Sequence, residues 1–307
     1  LPHHPEPPPF RGARERGRHM KRVAVTGANG YLASLIRLYN EDRFEFVRVS
    51  RRDIDYSKPG EVAAFFSDLD FDVLFHAAAD AATADCENDP EGTHRINCDS
   101  AIEIAKVCRE RNKRMLFIST EQVFNGKTVP GPFGEDEETA SVTNYGLQKA
   151  EVDAWMRRNM DDYVILRLSW MFGMALPHVK PSPGIVGNVL KAMRTKTPTR
   201  FTVNEKRCMT YAQRLADQFG DISALPSGTY HFASQNDKCT YECARIVASK
   251  LGYRDGEIDR LILPDTKRYS DRFRDFRLDN SKALSAGIEL GTFEEDVDRC
   301  LKDFGWA

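Results

Sequence analysis

A tyrosine and a lysine four positions apart carry the clearest chemical signal in this chain of 307 residues. Tyr145 and Lys149 would project from one face of a helix, where their functional groups can meet. A free phenol has a pKa of about 10, and we expect the ammonium to lower that pKa and make the tyrosine a usable proton donor. Taken alone, such a pair is more often an amphipathic tyrosine beside a solvated lysine.

Two hydroxyl side chains upstream favour the proton-transfer interpretation. Ser119 and Thr120 end an apolar run that reads as a strand, and ligands bind at the carboxyl edge of parallel sheets. We expect Thr120 to hydrogen-bond a reacting carbonyl, Tyr145 to protonate it, and Lys149 to tune Tyr145 and hold a nicotinamide ribose. The predicted catalytic residues are therefore Thr120, Tyr145 and Lys149, and the predicted chemistry is carbonyl reduction.

A glycine-rich turn after the first apolar run predicts a dinucleotide site. Gly27 and Gly30 would let backbone N–H groups approach a pyrophosphate at the positive end of the following helix. Ala33 replaces a third glycine, where only a small side chain is needed. A lone match of this kind is weak, but its position directly after the first strand strengthens it.

The end of the second predicted strand indicates which dinucleotide would bind. There the chain reads Ser50-Arg51-Arg52, and two guanidinium groups beside a hydroxyl favour the 2′-phosphate of NADPH. Asp53 and Asp55 leave NADH open, and the arginines could also be solvated surface charges. The predicted cofactor-binding residues are Gly27, Asn29, Gly30, Tyr31, Leu32, Ser50, Arg51, Arg52, Asp55, Ala77, Ala78, Ala79, Tyr145 and Lys149.

The sequence predicts no metal site and no disulfide framework. Seven cysteines form an odd, irregularly spaced set, as expected of reduced thiols. Cys239 and Cys243 are at helical spacing but lack companions for zinc. His76 reads as a core histidine, and His94, His178 and His231 form no recognisable ligand set.

Alternating β-branched runs and amphipathic stretches predict an α/β fold, a doubly wound parallel sheet of the Rossmann type with a smaller C-terminal substrate-binding lobe. The predicted strands are Arg22–Thr26, Phe44–Ser50, Val73–Ala77, Met115–Ser119, Tyr163–Leu168 and Gly228–Ala233. The predicted helices are Tyr31–Tyr39, Gly60–Leu69, Asp89–Arg111, Tyr145–Asn159, Ile185–Met193, Thr240–Leu251 and Phe293–Phe304. Residues 21–172, with return segments near 203–235, would bind the dinucleotide, and residues 173–202 and 236–307 would form the substrate lobe.

Composition limits the partners. Residues 1–20 are rich in Pro, Arg and His and are predicted to be an added leader or tag without fixed structure. The formal net charge of −2 shows no basic excess that would favour nucleic acid. No apolar stretch approaches the roughly 20 residues of a membrane span, so we expect a cytoplasmic protein, and a homodimer is compatible with the sequence.

Several segments resemble the extended short-chain dehydrogenase/reductase superfamily and, within it, the dTDP-4-dehydrorhamnose reductase family. The likeness covers nearly the whole chain after the leader. The segments that carry it are Phe117–Gly126, Asn144–Glu151, Leu166–Gly173, Met209–Ala212 and Leu278–Lys282. The resemblance implies NADPH-dependent reduction of the 4-keto group of a nucleotide-activated 6-deoxyhexose, with Thr120, Tyr145 and Lys149 in the family's catalytic positions.

The substrate side departs from the family pattern. Glu121-Gln122 stands where the family has Asp-Tyr, Asp80 where it has Tyr, and Ala84 where it has Asp. These departures leave the identity of the sugar open. The predicted substrate-binding residues are Glu121, Gln122, Trp170 and Arg207; Arg207 and Lys238 could neutralise a diphosphate or could be plain surface charges.

Two other functions stay open from the sequence. An epimerase or dehydratase would recycle tightly held NAD in the same fold. A regulatory subunit without turnover, similar to the β subunit of methionine adenosyltransferase, would bind NADP and a partner protein, because a fold and its retained residues do not prove catalysis.

Overall fold

The computed structural model describes residues 20–175, 179 and 184–306. The predicted leader therefore lies almost wholly outside the described residues. So do His178 and the prolines at positions 177, 181 and 183. Among the described residues, no helix combines the length and apolar character that crossing a bilayer requires.

Six parallel strands form the central sheet, in the order β2-β1-β3-β4-β5-β10. The strands are β1 (Arg22–Thr26), β2 (Glu45–Val49), β3 (Val73–His76), β4 (Arg114–Thr120), β5 (Tyr163–Leu168), β6 (Trp170–Phe172), β7 (Thr199–Thr202), β8 (Glu205–Lys206), β9 (Met209–Tyr211), β10 (Gly228–Phe232), β11 (Ile262–Asp265) and β12 (Arg274–Asp275). From β1 the chain runs to β2 on one side and from β3 to β10 on the other, so the direction of strand order reverses between β1 and β3. This is the arrangement of a doubly wound fold, and the predicted fold class is confirmed.

Helices cover both faces of this sheet. The helices of the described residues are α1 (Tyr31–Asn40), α2 (Pro59–Asp68), α3 (Thr83–Asn88), α4 (Pro90–His94), α5 (Ser100–Glu110), α6 (Asn144–Asn159), α7 (Gly184–Thr195), α8 (Ala212–Asp217), α9 (Phe219–Ala224), α10 (Thr240–Lys250), α11 (Asp255–Leu261), α12 (Ser281–Ser285) and α13 (Phe293–Asp303), and not all of them contact the sheet. The side chains of α1, α8 and α9 pack on one face, and those of α2, α5 and α6 pack on the other.

The predicted strands match the observed ones to within one residue at each end. The predicted helix Asp89–Arg111 differs more, because a π-helical segment, Arg95–Asp99, joins α4 to α5. A 3₁₀ turn, Glu121–Phe124, follows β4 directly. The short strands β6 to β9, β11 and β12 were not predicted, because each is too short for a period-2 pattern to be legible.

A third apolar cluster lies apart from the two faces of the sheet. It combines side chains of α7, α10 and α13 with β7 and β9. Short parallel pairs, β11 with β7 and β12 with β8, belong to this part of the chain. The substrate lobe and its boundaries stay a prediction.

Phe219 is the aromatic centre of one sheet face. Its ring lies 5.5 Å from Phe44 and 5.5 Å from Phe75, both edge-on, and it is fully buried. We expect Phe219→Ala to lower the free energy of unfolding by about 3–5 kcal/mol through lost contacts and a cavity. Phe273→Ala is the control, because that ring is 51% exposed. Urea unfolding curves measure both, and equal small losses would contradict this account of the core.

Candidate active site

The turn after β1 is built for close approach of a ligand to the backbone. Gly27 has a φ of +63°, and a Cβ there would lie 3.0 Å from backbone atoms of Ala77 and Ala78. Thr26 Oγ1 accepts hydrogen bonds from the N–H groups of Ala77 and Ala78, both at 3.0 Å. The ends of β1 and β3 are thereby joined, and only glycine fits between them.

The start of α1 offers donors to an anion. Gly30 precedes the helix in an extended conformation, and the N–H groups of the first helical turn have no partner within the helix. Those of Tyr31 and Leu32 belong to that turn, so the described residues fit the diphosphate of a dinucleotide.

The side chain of Tyr31 has a structural task. It is buried, its hydroxyl donates to the carbonyl of Met174 at 3.0 Å, and burial raises its pKa. Ala33 is also buried against the core, where a larger side chain would separate helix from strand. Tyr31 therefore holds the loop after β6 against α1, and only its backbone is left to face a phosphate.

At the end of β2 the carboxylates of Asp53 and Asp55 accept hydrogen bonds from nearby serines, whereas the guanidinium groups of Arg51 and Arg52 have no carboxylate partner among the described residues. Ser50 donates to Asp53 from its N–H and its hydroxyl, each at 2.8 Å, and these bonds lower the pKa of Asp53. Asp55 accepts two similar bonds from Ser57. Arg51 and Arg52 are exposed, and neither forms an ion pair with any described residue. This arrangement favours a phosphate over a free 2′-hydroxyl.

One further cation beside the turn escaped the sequence analysis. Arg48 is exposed on β2, and its Nη2 donates to Asn29 Oδ1 at 2.8 Å. Arg48 and Asn29 thus join the second strand to the glycine turn. The available signal was a charged residue next to Val49 at the carboxyl end of β2.

His76 at the end of β3 is a core residue, as predicted. Its Nδ1 lies 3.0 Å from Thr26 Oγ1, and its ring stacks on Phe117 at 5.8 Å. Burial lowers the pKa of His76 to about 3, so the ring is neutral. It therefore supports the turn without carrying charge to it.

Thr120 and Tyr145 are placed by two neighbouring caps. Thr120 Oγ1 accepts from the N–H of Gln122 at 3.2 Å and so begins the 3₁₀ turn after β4. Thr143 caps α6, of which Tyr145 is the second residue. Gly146 lets the helix touch the turn, since a Cβ there would lie 2.5 Å from the carbonyl oxygen of Gln122. The start of α6 is therefore seated on the turn that begins at Thr120.

Lys149 is anchored to the sheet. The residue is only 2% exposed, its Nζ donates to the carbonyl oxygen of Ile118 at 2.8 Å, and it lies 4.5 Å from the ring centre of Phe117. Its distance to the ring centre of Tyr145 is 6.0 Å. Burial lowers the pKa of Lys149 to about 8. The amine thus joins α6 to β4 and remains charged at neutral pH.

The predicted acidification of Tyr145 is wrong for this structure. Burial raises the pKa of Tyr145, and the charge of Glu121 raises it further. The spacing of four residues does bring Lys149 close, but its ammonium is directed to the backbone of Ile118 rather than to the phenol. Tyr145 makes no hydrogen bond to any described residue, so its proton is free for a ligand.

Arg207 corrects a second prediction. It is 4% exposed and therefore no surface charge. Its guanidinium pairs with Glu121 on one side and with Glu205 at 2.6 Å on the other. Two carboxylates leave no net positive charge there, so Arg207 is poorly suited to neutralise a diphosphate. Lys238 is partly exposed and paired with Asp237 at 2.5 Å.

The pairing also orders the neighbouring side chains. The guanidinium of Arg207 lies 4.3 Å from the ring centre of Trp170 and 4.9 Å from that of Phe276. Gln122 donates to Glu121 at 3.2 Å and accepts from Asn125 at 2.8 Å. Burial raises the pKa of Glu121, although the charge of Arg207 opposes this. The structure thus joins the predicted substrate residues in one network beside Thr120.

A cavity of about 380 Å³ adjoins this network and is lined by Trp170 and Glu205. Three cations line it as well: Lys191, Arg200 and Arg268. Sequence reasoning missed them, because α7, β7 and the loop after β11 are brought together only by the fold. They are the described positive charges best placed to meet an anionic ligand near Trp170.

Lys149 yields a test based on pH. The folded state lowers the pKa of Lys149 to about 8, so burial of the ammonium reduces the free energy of unfolding at neutral pH. This free energy rises again as pH increases from about 8 towards the unfolded pKa of 10.5, because the folded protein then buries a neutral amine. We expect Lys149→Met to be more stable than the parent at pH 7 and to lose this advantage by pH 10. Urea unfolding at several pH values measures the difference, with Lys191→Met as control. A constant difference would contradict the assignment.

Comparison with known proteins places this architecture in a family. A model described as "RmlD substrate binding domain" matches residues 20–305. The chain is similar to a dTDP-4-dehydrorhamnose reductase of Sinorhizobium fredii, with 24% identity over 93% of this chain and 97% of the relative. It is also similar to methionine adenosyltransferase 2 subunit beta of Pongo abelii, with 23% identity over 87% of this chain and 83% of the relative.

A solved structure shows the same fold. It is the dTDP-4-dehydrorhamnose reductase of Bacillus anthracis in complex with NADP, which superimposes with a TM-score of 0.81 at 19% identity and covers 93% of this chain and 100% of that chain. With the family match extending over nearly all described residues, the chain belongs to the RmlD substrate binding domain family.

Proposed function

We propose that this protein is an NADPH-dependent reductase of the 4-keto group of a nucleotide-activated deoxysugar. The observation that carries the proposal is the placement of Thr120, Tyr145 and Lys149 at the same carboxyl edge of the sheet as the Gly27 turn. The reductase from Sinorhizobium fredii and the NADP complex from Bacillus anthracis support this choice of substrate class and cofactor.

The residues would divide the reaction between them. NADPH, when bound, supplies a hydride to the carbonyl carbon. Thr120 donates a hydrogen bond to the carbonyl oxygen, and Tyr145 transfers its proton to that oxygen as the C–H bond forms, so ketone becomes alcohol. The raised pKa of Tyr145 keeps the proton in place until negative charge develops on the oxygen. The ammonium of Lys149, 6.0 Å from the ring centre of Tyr145, would stabilise the resulting phenolate through its charge while it keeps its hydrogen bond to Ile118.

Different residues would hold the phosphate groups of the cofactor and those of the substrate. Arg51 and Arg52 would bind the 2′-phosphate, while Gly27, Asn29, Gly30 and the first turn of α1 hold the diphosphate of the cofactor. Ala77, Ala78 and Ala79 would lie against the cofactor. We place the nucleotide diphosphate of the substrate against Lys191, Arg200 and Arg268, with Trp170 beside it and Glu121 and Gln122 facing the sugar. Location in the cytoplasm and a homodimeric state remain predictions of the sequence.

The regulatory alternative rests on the similarity to methionine adenosyltransferase 2 subunit beta. It would use the same NADP site without turnover and would need a protein partner. A sugar-nucleotide epimerase or dehydratase would instead retain NAD through purification and dialysis. No feature of the described residues favours either alternative function over the proposed reductase function.

The activity is tested with purified protein, NADPH and dTDP-4-keto-6-deoxy sugars, with nicotinamide absorbance followed over time. We expect Tyr145→Phe to reduce kcat by about 10²–10⁴-fold, because the proton donor is lost while the ring remains. Tyr163→Phe is the matched control, since that residue begins β5 at the opposite edge of the sheet. No NADPH oxidation above the Tyr145→Phe background with any such sugar would remove the proposal.

Cofactor choice is tested separately by binding. We expect the double change Arg51→Ala and Arg52→Ala to weaken NADPH by at least about 10-fold and NADH hardly at all, because two charge-assisted contacts to the 2′-phosphate are lost. The control is Arg157→Ala with Arg158→Ala, a pair of exposed arginines at the end of α6. Equal losses for the two cofactors would show that Arg51 and Arg52 do not read the phosphate.

A further inference from the structure

A mixed group of metal-ligand side chains lies outside the proposed active site. His94, Cys98 and Glu151 each offer one ligand atom, and these three atoms lie within 4.8 Å of one another. His94 ends α4, Cys98 lies in the π-helical segment, and Glu151 lies on α6. Nothing in the sequence spacing alone had marked the three as a set, because Glu151 comes from a distant helix.

The separations suit a small divalent ion. The Nε2 atom of His94 is 3.1 Å from the carboxylate of Glu151. Two ligands of a tetrahedral zinc ion, at about 2.0–2.1 Å from the metal, are roughly 3.3 Å apart, so this edge already has the required length. Cys98 is buried beneath the pair, whereas the side chains of His94 and Glu151 are 37% and 54% exposed, which leaves a path for an ion.

The other ring nitrogen of His94 has the partner that metal-binding histidines usually have. Its Nδ1 lies 3.2 Å from a carboxylate oxygen of Asp99. A carboxylate on the second nitrogen fixes the ring orientation and makes the first nitrogen a better ligand. Cys98 and Asp99 both belong to the π-helical segment. Such segments often occur at functional sites.

We propose that His94, Cys98 and Glu151 bind a zinc-class divalent cation, with Asp99 orienting His94 and a water molecule completing the coordination. The ion would join the helix that contains the π segment to α6, two residues after Lys149. It would therefore stabilise the helix that carries Tyr145 and Lys149. The role of the ion would be structural, and it would take no part in the proposed reduction.

Metal binding has a general pH signature that the proposal must show. A thiol must lose its proton to become a metal ligand, so each ion bound should displace a proton from Cys98. Binding should therefore tighten as pH rises.

Cobalt titration of the chelator-treated full chain tests the proposal. Because histidines elsewhere, including His3 and His4, can also hold Co²⁺, the readout is the near-ultraviolet thiolate-to-cobalt charge-transfer band, which requires sulfur. We expect this band together with intense visible bands of tetrahedral Co²⁺, and we expect Cys98→Ser to abolish the charge-transfer band. Cys108→Ala, which removes another buried thiol on α5, should leave it unchanged.

Two milder variants keep the proposal falsifiable if Cys98→Ser fails to fold. Glu151→Gln and Asp99→Asn alter partly exposed side chains, and we expect each to weaken Co²⁺ by about 10–100-fold, with melting temperatures of the metal-free proteins near that of the parent. Absence of the sulfur band in the parent chain, its persistence in Cys98→Ser, or unchanged affinity in both milder variants would each overturn the proposal. NADPH oxidation without added metal is expected either way, so its failure would count against the reductase and not against this site.

Discussion

The hydrogen bond from Lys149 to the carbonyl oxygen of Ile118 is the contact on which the arrangement of the site depends. It brings a buried ammonium into the interior, fixes α6 against β4 and so sets where Tyr145 stands relative to Thr120. Burying the charge lowers the pKa of Lys149 to about 8, which is a cost to the fold at neutral pH. A side chain kept at such a cost, on the ligand-binding edge of the sheet, is characteristic of function rather than of packing.

The electrostatics on the proposed substrate side of the site differ in kind from those on the proposed cofactor side. Arg51 and Arg52 are exposed and unpaired among the described residues, as a site for a mobile anion requires. Arg207 instead is paired with Glu121 and Glu205, and its guanidinium lies close to two aromatic rings. The network of Arg207 with these two carboxylates is therefore rigid and nearly neutral beside Thr120. The positive charges suited to a nucleotide diphosphate lie farther out, in the cavity next to Trp170.

Local patterns predicted the elements that local patterns control. The end of β1 and the glycine turn follow from periodicity and glycine positions, and α6 begins within one residue of the position predicted for it. The burial of Arg207 was not predictable, because its partner Glu121 lies 86 residues away in the chain. The pKa of Tyr145 was mispredicted for a related reason, since a spacing of four residues gives proximity but not the direction of a hydrogen bond. The grouping of His94 and Cys98 with Glu151 likewise needs the packing of two helices.

A crystal structure of the ternary complex with NADP⁺ and a nucleotide-linked keto-deoxysugar tests the central claim most directly. The account predicts the sugar's keto oxygen within hydrogen-bond reach, about 2.6–3.2 Å, of both the Tyr145 hydroxyl and Thr120 Oγ1. It also predicts the cofactor diphosphate over Gly27 and the ammonium of Lys149 still at the Ile118 carbonyl. A sugar bound with its keto group away from Tyr145, or a cofactor bound away from the glycine turn, would contradict it.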